Sequence, residues 1–169
     1  EAVSTILGED GEIIATDVST YLVRGDAPSS GEASSTAPSA RAREEFVAPR
    51  PTGRWAVPAD AGRRYAAGSG DVNPIHLSAL SAKAFGFPRA IAHGMYTASR
   101  AFTESRADLS RPLRWDVSFD APVTLPSTVL VSYQDDPADG AVTCTGWRAG
   151  RGDKGPRRCF EVQVTTLDR

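Results

Sequence analysis

What most constrains the fold of this chain is a change of apolar period. Residues 93–107, HGMYTASRAFTESRA, carry Met95, Tyr96, Ala98, Ser99, Ala101 and Phe102. Apolar or small residues occupy most sides of the first turns, so a helix is expected there that is buried rather than amphipathic. After it the period falls to two. Residues 113–119, 128–134, 141–148 and 158–166 read as strands, and the breaks at 122–126, 135–140 and 150–156 hold turn residues. Consecutive short strands with short connections pair antiparallel. One buried helix followed by such a run of strands predicts an α+β layout in which the sheet curls around the helix.

Ahead of the helix stands Gly70-Asp71-Val72-Asn73-Pro74-Ile75-His76, with His93-Gly94-Met95 downstream at the head of the helical run. An acid and a histidine joined by an Asn-Pro turn make a rigid loop that can aim a carboxylate and an imidazole at one point. Those two groups are the minimum needed to move a proton. The start of the helix, at Gly94, offers backbone N–H groups without helical acceptors, fit for an anion. Carboxylate, imidazole and oxyanion site are the three roles needed for chemistry beside a carbonyl. Flanking the loop, Asp60 is placed to cap a short helix over residues 64–67 that stops at Gly68 and Gly70, and residues 78–85 read as another ending at Gly86.

The Asp71, Asn73, Pro74, His76 pattern with the downstream His-Gly-Met resembles the MaoC-like hydratase/dehydratases, which include the (R)-specific enoyl-CoA hydratases. The resemblance runs from about Trp55 to the C-terminus and is strongest over residues 65–95. It implies a hot dog fold, the name for a sheet curled around a central helix. It also implies a thioester substrate carried by coenzyme A or an acyl carrier protein. Asp71 and His76 would hold the water that adds to a trans-2-enoyl thioester, Asn73 would orient them, and Gly94 with Met95 would receive the thioester oxygen. No cofactor and no metal is implied. A hot dog thioesterase and a non-catalytic acyl-thioester-binding partner subunit are the competing readings, because fold alone does not decide function.

Other candidates carry less. Arg89, Lys83 and Arg100 could meet CoA phosphates, but scattered basic residues are usually solvated surface. Tyr65, Phe85, Phe87 and Tyr96 could line an acyl tunnel or simply be core. His93 reads as a helix-start residue packed in place. Cys144 and Cys159 lack metal-ligand spacing and read as half-buried thiols.

At its N-terminal end the chain shows β-branched segments at 2–7 and 13–24 around Asp10-Gly11, a hairpin signal. Residues 26–51 read as a Ser-, Ala- and Pro-rich linker. The resemblance, whose larger members carry two hot dog repeats in one chain, implies that residues 1–25 are the last hairpin of a first repeat and 52–169 the catalytic domain. Such a hairpin must pack on something, so a homo-oligomer or a second hot dog domain is expected as partner. A net charge of −2 gives no surplus for gripping nucleic acid. No apolar run is long enough to cross a bilayer and no signal peptide opens the chain, so a cytoplasmic location is the default.

Overall fold

The computed structural model describes residues 1–20 and 45–167, and the chain divides into two compact units, Glu1–Ala40 and Arg41–Arg169. Residues 21–24 of the expected second strand, and the expected linker up to residue 44, lie outside the described residues. In the first unit β1 (Ala2–Leu7) and β2 (Ile13–Ser19) pair antiparallel, with Val3 opposite Val18 and Thr5 opposite Thr16. Gly11 closes the turn at φ 83°, a left-handed conformation open to glycine. Val3, Ile6, Leu7, Ile13, Ile14 and Val18 are all exposed. The hairpin therefore has no core of its own.

The second unit is built on a five-stranded antiparallel sheet in the order β3-β5-β6-β7-β4. Its strands are β3 (Gly53–Val57), β4 (Leu113–Phe119), β5 (Ser127–Asp136), β6 (Ala141–Arg148) and β7 (Arg157–Thr166). All but β3 were expected close to where they lie. One expectation fails: β4 does not pair with β5, its neighbour in sequence. It pairs with β7, Leu113 opposite Thr166 and Phe119 opposite Phe160, while β5 lies between β3 and β6. The physical reason is the connection between them. Residues 123–125 run antiparallel to residues 90–92 instead of turning back as a hairpin: Ala92 N–H donates to Val123 O, and Leu125 N–H to Ala90 O, both at 2.8 Å.

Among the described residues four helices complete the unit: α1 (Ala61–Ser69), α2 (Pro74–Leu77), α3 (Ala79–Ala84) and α4 (Gly94–Glu104). Helix α4 buries Thr97, Ala98 and Ala101, and the two alanines share one core with Val129, Val131, Phe160, Val162 and Val164 of the sheet. The two alanines allow close approach, since they add little bulk between helix and strands. The other side of α4 is open, with Met95, Thr103 and Glu104 exposed. The helix is thus amphipathic rather than buried all round, because the sheet covers only one side of it. Sheet and helix together have the hot dog architecture.

Aromatic packing fixes the strand order. Trp55 of β3 stacks on Phe160 of β7 with centroids 5.6 Å apart. Phe160 reaches across β6 because position 146 is glycine; a Cβ there would collide with its ring. Truncating a buried aromatic of this kind costs about 3–5 kcal/mol. Trp55 Nε1 also donates to Glu104 Oε2 at 2.9 Å and Arg100 Nε to Oε1 at 2.8 Å, tying the end of α4 to β3. Phe46 packs against Trp147 at 6.2 Å, so the folded unit takes in chain ahead of Thr52.

Cys144 and Cys159 are fully buried rather than half-buried, and both are free. Cys144 lies opposite Val162, so the two do not face each other across the β6–β7 pair. Burial pushes the Cys144 thiol up to about 11, away from reactivity. Among the described residues no helix is long and apolar enough to cross a membrane.

Candidate active site

Local chemistry shapes the loop that carries the site. Asp60 stands at the N-cap of α1 without a side-chain cap bond, and α1 runs on through Gly68 to end at Gly70, at φ 75°. Three side chains then bond the backbone in succession. Asp71 N–H donates to Ser69 Oγ at 3.2 Å, Asn73 N–H to Asp71 Oδ1 at 3.2 Å, and Ile75 N–H to Asn73 Oδ1 at 3.3 Å. Pro74 is the first residue of α2, where a missing N–H costs nothing. The expected rigid loop therefore ends in a helical turn that presents His76. Ser78 caps α3 by accepting from Ser81 N–H at 3.1 Å. Helix α1 touches this turn at Gly62, where any Cβ would collide with the His76 carbonyl.

His76 is buried, and its Nδ1 lies 2.8 Å from Ile91 O. A carbonyl can only accept, so Nδ1 carries the hydrogen and Nε2 keeps its lone pair free to take a proton. Burial holds the imidazole below its ordinary 6.5; the Ile91 bond and the Asp71 charge oppose this, and the neighbouring His93 adds to it. Burial thus favours the neutral imidazole over the charged one. Its ring stacks on His93 with centroids 3.7 Å apart and planes 27° apart. His93 is only 2% exposed, and its Nε2 donates to Asp71 O at 2.9 Å. His93 is packed in place, as its position at the helix start suggested. It also holds the backbone of Asp71 and backs the ring of His76.

His93 is the N-cap of α4, so the N–H of Gly94 has no acceptor within the helix. Thr97 Oγ1 donates to Gly94 O at 2.7 Å and steadies this first turn. Asp71, His76, Gly94 and Met95 all line one cavity of about 460 Å³. Asn73 is not in its wall; its amide caps α2 instead, the turn role open to any Asn in that position. None of Tyr65, Phe85, Phe87 and Tyr96 lines the cavity either. Tyr65 packs on His93 at 4.8 Å and on Tyr96 at 5.9 Å, while Phe85 is exposed.

The opposite wall escaped the sequence reading. Phe119, Ala121, Val123, Cys159 and Phe160 form much of it. The Phe119 ring lies over Gly94, within 2.8 Å of where a Cβ would stand. The proline-bounded stretch 122–126 looked like a break between strands, and only its pairing with residues 90–92 makes it a wall.

Asp71, His76 and His93 bring one ligand atom each to within 4.8 Å of one another, a spacing that could suit a metal ion. The ring geometry argues otherwise. Imidazole lone pairs lie in the ring plane, so two nearly parallel stacked rings do not aim at one point. In addition His93 Nε2, which lies 3.7 Å from Asp71 Oδ2, already donates to a carbonyl. The set is better suited to proton transfer: a half-exposed carboxylate and a neutral imidazole share a cavity with a helix N-terminus.

Comparison with known proteins agrees with this architecture. Residues 39–139 match the family described as MaoC like domain. Over 66 residues the chain is 50% identical to 3-hydroxyacyl-thioester dehydratase X of Mycobacterium tuberculosis, covering 39% of this chain and 24% of that protein. A crystal structure of HtdX from the same organism superposes with TM-score 0.59 at 36% identity, over 70% of this chain and 46% of that one. The chain spans less than half the length of these relatives. The HadBC complex of M. tuberculosis, a 3R-hydroxyacyl-ACP dehydratase, shares the fold at TM-score 0.51 and 15% identity, over 69% of this chain and 91% of that one. By its sequence match, across more than half its length, the chain belongs to the MaoC-like domain family.

Proposed function

We propose that this chain carries the active site of a hydro-lyase that interconverts trans-2-enoyl thioesters and (R)-3-hydroxyacyl thioesters of fatty-acid metabolism. The observation that supports the reading is that Asp71, His76 and Gly94, the first residue of α4, line one cavity. The dehydratase name of its relative in M. tuberculosis supports it. In this reading the thioester oxygen accepts from Gly94 N–H, at the positive end of α4. Asp71 and His76 hold a water between them. Its oxygen bonds C3, the C2–C3 π electrons move toward the carbonyl, and the proton lost by the water is delivered to C2. Charge that gathers on the thioester oxygen meets the Gly94 donor, a contact whose loss typically costs about 3–4 kcal/mol of barrier. The reverse sequence expels water from the 3-hydroxyacyl thioester.

The reading extends to assembly and location. The exposed apolar side chains of the hairpin need cover, and a hairpin alone is marginal in water. Residues 1–25 are the last hairpin of a first hot dog repeat, joined by the linker to the catalytic domain. That domain pairs with a second hot dog domain, in another copy or another chain, in the cytoplasm. Crotonyl-CoA tests the chemistry. Loss of enoyl-thioester absorbance without release of free thiol is the expected result. Thiol release would indicate a thioesterase, and no reaction a binding subunit.

A further inference from the structure

The loop 123–125, which gives Val123 to the cavity wall, also gathers two cations at Thr124. Arg89 Nη2 lies 3.1 Å and Arg148 Nη1 3.2 Å from the same atom, Thr124 Oγ1. Two guanidiniums thus share one neutral hydroxyl, and among the described residues neither has a carboxylate partner. Three other arginines of the unit are paired with carboxylates: Arg100 with Glu104, Arg114 with Asp116, and Arg158 with Asp120 and Glu161. Arg148 Nε is moreover buried without an acceptor. An unpaired buried donor on a cation is costly, and two like charges drawn to one point add repulsion. Thr124 Oγ1 accepts from both arginines, which leaves its own O–H as a further donor. Among the described residues the cluster thus holds two cations and no anionic acceptor.

Its place relative to the chemistry is fixed by the backbone. Thr124 bridges Ile91, whose carbonyl holds His76, and Ile91 and Val123 both line the cavity. The charge of Arg148 also reaches the sulfur of Cys159 in the same wall, opposing the rise that burial causes in that thiol. Arg89 is exposed and Arg148 half-buried, so the cluster stands open to solvent on one side.

We infer that Arg89, Thr124 and Arg148 form a phosphate-binding subsite that holds a phosphate of the pantetheine carrier while the acyl end lies in the cavity. Guanidinium forks match phosphate oxygens two at a time, and a dianion relieves the repulsion between the two arginines. The inference rests on the proposed thioester chemistry. It adds residues that choose between carriers, which the catalytic groups do not.

Three crotonyl thioesters separate the sources of phosphate: coenzyme A, 4′-phosphopantetheine and phosphate-free pantetheine. For Arg89→Ala, and independently for Arg148→Lys, the preference in kcat/KM for the CoA over the pantetheine thioester should fall about tenfold or more. If the phosphopantetheine thioester follows CoA, the single carrier phosphate is the ligand. If it follows pantetheine, a nucleotide phosphate is. An unchanged preference in both variants overturns the subsite. Calorimetric titration with free CoA keeps the test separate from turnover: affinity should fall about tenfold in Arg89→Ala even if no thioester is hydrated, an outcome that would count against the hydratase reading alone. Equal CoA affinity in the wild type and Arg89→Ala overturns the inference.

Discussion

In the proposed mechanism His76 and Asp71 divide their work by environment. The imidazole is buried, stacked and fixed in one tautomer, and the carboxylate is half-exposed beside it. Asp71→Asn keeps the shape and removes the base, and His76→Ala removes the acceptor nitrogen. Each should lower kcat of hydration by about 10²–10⁴ with circular dichroism unchanged; near-normal turnover in a folded variant would refute the roles. The lowered His76 pKa adds a pH signature. Between the depressed value and 6.5 the unfolded chain binds more protons than the folded one, so His76 stabilises the fold fully above 6.5. That contribution is lost as pH falls through the folded value. The acidic limb of kcat should therefore lie below pH 6.5, and His76→Ala should flatten stability over the same window in a pH series of thermal melts. These residues were legible because the chemistry is local: acid, turn and histidine lie within one loop. Phe119 and Gly62 were not, because their partners Gly94 and His76 are distant in sequence or known only from packing.

Among the elements, the contact of α1 with α2 positions the site most directly. Gly62 lets α1 press against the His76 carbonyl, and overpacking at such a point costs about 1–3 kcal/mol. Gly62→Ala should lower Tm by several degrees and cut kcat without changing any catalytic group; a variant with wild-type Tm and turnover would show that this contact does not set the position of His76. A glycine inside a helix looks in sequence like a weak position, and nothing there announces a neighbouring carbonyl. The same limit explains β3, a strand of only five residues whose place beside β5 depends on Trp55 meeting Phe160. It also explains the open side of α4. Periodicity showed a helix rich in apolar and small residues, but how much of it the sheet covers depends on strand order. The pairing of β4 with β7 is nonlocal, and short connections pointed to the wrong neighbour.

On the scale of the whole molecule, the exposed side chains of β1 and β2 and the open face of α4 favour a paired assembly. Light scattering should report a species larger than the 17.9 kDa chain, or a poorly active monomer; a fully active monomer would contradict the pairing. The central claim is that Asp71, His76 and the Gly94 N–H add water across an enoyl thioester. The most direct measurement is the product formed from crotonyl-CoA in heavy water. The account predicts (R)-3-hydroxybutyryl-CoA with one deuterium at C2 and the thioester intact. The (S) product, or free CoA and crotonate, would contradict it.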